Sequence, residues 1–186
     1  MYPVETRISN DEILKNIKII LQWTIDNKVF IPQYEIFAGD LFADKLYYKI
    51  LDTFLEVFAP ISKKHLANVQ RWKMPVILTP VNGWFFKYEE HRNLIREYKQ
   101  KLHDTGFALA MSWSTDGLYA AEARENAIDQ GHMTQEDYDI IFPFIKEMNF
   151  GIHAMISAET IKNSIKNYDW WIEMYNKHYL RDAFDG

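Results

Sequence analysis

The chain has 186 residues, a net charge of −5 and a pI near 5.7, with no long basic run, which argues against nucleic acid as its main partner. It has no cysteine, which excludes disulfides, thiolate metal sites and a cysteine nucleophile. The hydrophobic fraction is 48%, with 12 Phe, 11 Tyr and 6 Trp, so residues 1–186 are expected to form a single α/β domain with large buried surfaces. The amino-terminal stretch MYPVETRISNDE lacks the apolar core of a secretory signal, and no apolar run reaches the ~18–20 residues that span a bilayer. A soluble, cytoplasmic protein with no membrane partner is expected.

In chain order, Ser9 to Asp26 reads as a helix, with Ser9 and Glu12 as a capping pair and Ile13, Ile17, Ile20 and Leu21 at helical spacing. A short strand, Tyr34 to Phe37, ends in Ala38-Gly39-Asp40. The segment Leu46 to Phe58 is helical again and closes before Pro60. Pro75 to Leu78 reads as a strand ending in Thr79, Pro80, Asn82 and Gly83, and Tyr88 to His103 as an amphipathic helix capped by Gly106.

Phe107 to Met111 is an apolar strand that breaks into Ser112, Ser114, Thr115, Asp116 and Gly117. An alanine-rich helix over Leu118 to Asn126 is predicted after it. Thr134 and Asp137 cap a helix to Met148, in which Pro143 predicts a kink or a new start. Phe150 to Met155 is the last strand, ending near Ser157 and Glu159, and Tyr168 to Tyr179 is an aromatic-rich helix. A leading helix followed by about four strand–helix units points to a parallel sheet with right-handed crossovers, which leaves both sheet edges to be covered.

In such a sheet the four strand ends share one rim: Gly39 and Asp40; Thr79 and Asn82; Ser112, Ser114 and Asp116; Ser157 and Glu159. Turn formers and helix caps account for any one of these groups. Four together are what a ligand site at the carboxyl end of parallel strands needs. Gly39, Gly83 and Gly117 would allow close backbone approach there.

Phe107 to Arg124, FALAMSWSTDGLYAAEAR, resembles the fourth-strand region of the radical S-adenosylmethionine enzymes, in the peptide- and protein-modifying branch related to sulfatase-maturing enzymes. There an apolar strand ends in a serine and an Asp-Gly pair, with an arginine further on. YEIFAGDLF is similar to the segment carrying the Gly-Gly-Glu motif, ILTPVNG to the strand ending in Thr-Asn-Gly, and FGIHAMISAET stands in the fifth-strand position. The resemblance covers most of the chain, with order and spacing in agreement. It implies the central part of a TIM-like partial (β/α) barrel that binds S-adenosylmethionine.

The same resemblance implies roles for individual residues. Gly39 and Asp40 would meet the methionyl amino group, although Asp40 is shorter than the family's glutamate and Ala38 replaces a glycine. Ser112, or Ser114 beside it, would lie by the ribose, with Asn82 and Asp116 on the same rim. Arg124 would pair with the methionyl carboxylate, and Ile156 and Ser157 would line the adenine edge. The family also holds a four-iron, four-sulfur cluster on a Cys-x3-Cys-x2-Cys loop, which a chain without cysteine cannot do in that way.

The first helix corresponds to the one after that loop, so a truncated or degenerate relative, inactive alone, is expected. The complete enzyme would generate a 5′-deoxyadenosyl radical and abstract hydrogen from a substrate, with a peptide or protein as the substrate class. The alternatives are a non-catalytic module binding a nucleoside or a protein, and an unrelated α/β enzyme using Asp40, Asp116 and Glu159 for acid–base or metal chemistry. The six histidines show no metal-site spacing, and His153 either faces the rim or packs as a hydrogen-bonded core residue.

Overall fold

The computed structural model describes residues 8–37, 41–42, 45–115, 117–119, 133–153, 161 and 163–180, without the side chains of Trp72 and Leu180. The chain is an α/β protein with a four-stranded sheet in the order β1-β2-β3-β4. The strands are β1 (Gln33–Glu35), β2 (Val76–Val81), β3 (Ala108–Ser114) and β4 (Gly151–His153). β1 pairs parallel with β2, and β3 parallel with β4. Chain order and sheet order coincide, as consecutive strand–helix–strand units commonly give.

The helices are α1 (Asn10–Asp26), α2 (Leu46–Phe58), α3 (Ser62–Trp72), α4 (Glu89–Asp104), α5 (Gln135–Met148) and α6 (Ser164–Tyr175), the last continued by a π-helical turn over Asn176–Leu180. Among the described residues no helix is long and apolar enough to cross a membrane. α1 starts where predicted: the Ser9 hydroxyl accepts the Glu12 N–H at 3.2 Å. α2 has the predicted bounds because its apolar residues repeat along a buried face that includes Leu51, Phe54 and Phe58.

α2 closes before Pro60, as expected. Pro60 sits in a 3-10 turn, Ala59–Ile61, that leads into α3, a helix not anticipated from the sequence. Pro143 does not mark a new start: α5 runs through it as one element behind the full Thr134–Asp137 capping box. β3 extends three residues beyond Met111, so Ser112 and Ser114 belong to the strand and not to the turn after it. The helix predicted over Leu118 to Asn126 lies mostly outside the described residues.

Contacts gather into two compact units, one of residues up to Leu78 with Glu97–Leu109, the other of Thr79–Arg96 with the chain from Ala110 onward. In the first, Tyr34 meets Phe54 and Phe107, and Phe107 in turn packs on Phe58 with centroids 4.7 Å apart. The buried Tyr98 hydroxyl donates to Asp52 at 2.7 Å, and burial is the main reason its pKa is raised. In the second unit, Trp113, Tyr138, Phe142 and Trp170 form one aromatic cluster between β3, α5 and α6.

Candidate functional site

The second unit places the polar end of β3 beside β4. Side chains alternate across a strand, so Met111 and Trp113 share one face, and Ala110, Ser112 and Ser114 the other. The first face is closed: Met111 and Trp113 are almost fully buried. The Trp113 indole N–H donates to the Asn82 carbonyl at 3.1 Å. On the same side, Thr115 hydrogen-bonds the Tyr138 hydroxyl at 3.1 Å. Every polar atom in that set has a partner within the protein, which is what a buried turn requires.

Trp113 also explains one of the rim glycines. Gly83 has φ +76°, and a Cβ there would lie 2.3 Å from Trp113 Cδ1. The close approach that this glycine permits is therefore to the indole ring. Gly117, at φ +93°, is filled in the same way by the Asn167 side chain, whose Oδ1 would be 2.3 Å from an added Cβ. Neither glycine offers open backbone to a ligand.

The opposite face of β3 differs in kind. Ala110 and Ser114 are only half-buried there. The parallel register sets Ser112 opposite Gly151 and Ser114 opposite His153. The Thr115 N–H donates to the His153 carbonyl at 2.8 Å and continues the ladder past the end of β3. One step diagonally across that ladder, Ser112 Oγ and His153 Nδ1 form a hydrogen bond. Ser112 is buried and the imidazole is exposed, so the hydroxyl orients a ring whose other nitrogen is left for a different partner. The tautomer follows that partner: an acceptor ligand favours Nε2–H, and a donor ligand the reverse.

The pair is a poor nucleophile. Ser112 lies within a strand and not on an exposed elbow, and among the described residues no carboxylate stands behind His153. What the face provides is a hydroxyl-anchored imidazole, a second serine and small residues, which suit hydrogen bonding to a polar heteroaromatic or sugar group.

Of the residues predicted for the site, Ser112 and Ser114 share this face. Asn82 is held through its carbonyl against Trp113, on the other side of β3. Gly39, Asp40, Asp116, Arg124, Ile156 and Ser157 lie outside the described residues, as does Glu159. His153 is the addition, as the partner of Ser112 and not a residue of the core. Its signal in the sequence was a histidine three residues into a strand adjacent to Ser112. Among the described residues no group of three histidines or carboxylates is placed to hold a metal ion.

No protein-family model, curated protein or solved structure matches the chain. Function must be argued from these residues.

Proposed function

We propose that the chain is a nucleoside-binding α/β module, laid out as a partial (β/α) barrel like the centre of the radical S-adenosylmethionine fold, with S-adenosylmethionine as the ligand. The observation that carries this reading is the Ser112–His153 hydrogen bond on the half-open face of β3 and β4. In a barrel that face would be the inner one, where ligands bind at the carboxyl ends of the strands. His153 and Ser114 would contact the ligand, with Ser112 fixing the ring. The donor set fits the ribose hydroxyls and the ring nitrogens of adenine.

The residues do not fit an iron–sulfur cluster. Ligation in the family's manner needs thiolates, and the chain has no cysteine. The composition therefore favours binding over radical generation by this chain alone.

Titration calorimetry with S-adenosylmethionine, S-adenosylhomocysteine and adenosine tests the proposal. Binding of all three is expected, weakened about tenfold by His153→Ala, the loss of roughly one good hydrogen bond to a ligand. If none of the three binds to the folded chain, the nucleoside reading fails. Binding that His153→Ala and Ser114→Ala leave unchanged would remove this face as the site.

A further inference from the structure

The first unit contains a pocket of about 540 Å³ at the amino-terminal ends of β1 and β2. That volume is in the range of small-molecule sites. Its wall is largely apolar and includes Ile25, Phe30, Phe58 and Ile61, and its cationic groups are Lys28 and Lys64. Among the described residues no carboxylate lines it, and neither lysine has an ion-pair partner. Val29 and Phe30 are left exposed at its edge.

Two further observations concern the same pocket. His65, in its wall, is clamped between Phe58 and Phe107, with ring centroids 4.9 Å away in each case. Gly106 admits the ring edge, since a Cβ there would lie 3.1 Å from His65 Cδ2. Despite this fixed setting, the buried His65 Nε2 has no hydrogen-bond partner among the described residues. Burial lowers the pKa of His65, which keeps the ring neutral. That nitrogen is sealed from solvent, so His65 contributes a fixed, neutral ring to the pocket wall.

Lys28 supplies the second observation. α1 ends in a Schellman motif: the Lys28 N–H donates to the Ile25 carbonyl at 3.1 Å and the Val29 N–H to the Thr24 carbonyl at 2.8 Å. The first residue after the cap must adopt the left-handed conformation in this motif, and Lys28 does so with φ +55°. Glycine is the usual occupant of that position because it has no Cβ to strain. Lys45 and Lys73 also have positive φ, and of the three it is Lys28 that brings its cation to the pocket wall.

We propose that this pocket binds an amphipathic carboxylate, its charged end held by Lys28 and Lys64, its apolar body against Ile25, Phe30 and Phe58. Two ammonium groups can satisfy the two oxygens of a carboxylate. They are too few for a phosphate dianion placed against an apolar wall. The site is independent of the nucleoside reading and uses none of its residues.

Titration calorimetry of the whole chain with decanoate, decanol and inorganic phosphate distinguishes the parts of this proposal. Decanoate should bind at least about tenfold more tightly than decanol, and phosphate should not compete. Lys28→Gly and Lys64→Met should each weaken decanoate binding several-fold. Lys28→Gly should at the same time raise the unfolding midpoint, because glycine relieves the left-handed strain, so lost affinity cannot be blamed on a damaged fold. Absence of decanoate binding, equal affinity for decanol, phosphate binding as tight as decanoate, or indifference to both lysine substitutions would each overturn the assignment.

Discussion

The end of β3 and the pocket beside α1 both collect polar residues, yet they treat them in opposite ways. At the end of β3 the polar atoms serve one another: Trp113 with the Asn82 carbonyl, Thr115 with Tyr138, Ser112 with His153. Beside the pocket, the buried His65 Nε2 has no such partner among the described residues, whereas Lys28 and Lys64 are exposed to water. Polarity near a strand end is common and inexpensive when it is satisfied. Buried polarity without a partner, held rigid by aromatic neighbours as at His65, is the rarer observation.

Substitutions can break this contrast or sharpen it. The largest effect should come from Trp113→Ala, which empties the centre of the aromatic cluster and should cost about 3–5 kcal/mol in urea unfolding. Gly83→Ala should also destabilise strongly, and much less so in a chain already carrying Trp113→Ala, because the clash is with the indole. Additive losses in the double variant would mean that Gly83 is demanded by its φ and by Phe86, whose Cδ2 would lie 2.9 Å from an added Cβ, and not by the indole.

A more pointed comparison pairs Ser112→Ala with His65→Phe. Ser112→Ala removes a satisfied hydroxyl and should cost about 1 kcal/mol. His65→Phe removes an unsatisfied nitrogen while keeping an aromatic ring between Phe58 and Phe107, so it should be neutral or stabilising by about 1 kcal/mol. The signs should differ. If both variants are destabilised alike, His65 has a partner in solution and the contrast collapses.

Acid should reveal the same group. The pKa values of His65 and His178 are both lowered, chiefly by burial. The unfolded chain then takes up protons first as the pH falls through about 6.5, so stability is full above that pH and declines below it, towards the lowered folded values. Asp139 adds a separate term: its hydrogen bond with Lys177, at 2.7 Å, lowers its pKa, so that contribution is lost only on further acidification below the ordinary carboxylate range. Denaturation at pH 7.5 and 5.5 should show a smaller difference for His65→Phe than for the unaltered chain. An unchanged difference would assign the acid sensitivity to His178.

The smallest effect should follow Glu147→Gln. Arg96 holds Glu147 in a two-point pair, at 2.6 and 2.7 Å, but both side chains are well exposed. A loss of about 0.5 kcal/mol, reduced further by salt, is expected in the same unfolding assay.

The sequence was most legible where one periodicity dominated. α2 and the capped starts of α1 and α5 followed from apolar spacing and from Ser9, Thr134 and Asp137. α3 was hidden because Lys63-Lys64 reads as an ordinary solvated charge pair and Pro60 reads as a stop, whereas a proline fits the first turn of a helical segment as well as the residue after one. β3 was read short because its last residues, Ser112, Trp113 and Ser114, alternate hydroxyl and indole. That is the strand period itself, but serines invite a turn assignment. Of the site, Ser112 and Ser114 were visible and His153 only as one of two alternatives. The pocket could not be seen, since its wall joins the end of α1, α3 and the approach to β2, segments with no pattern in common.

Helix α4 has a place in both compact units, its residues through Arg96 in one and those from Glu97 in the other. A helix gains its stability by propagation along an unbroken run of hydrogen bonds, and a half-helix of eight residues is a weak one in water. Each half of α4 therefore owes its persistence to the side chains it packs against within its own unit, and neither would hold as an isolated segment.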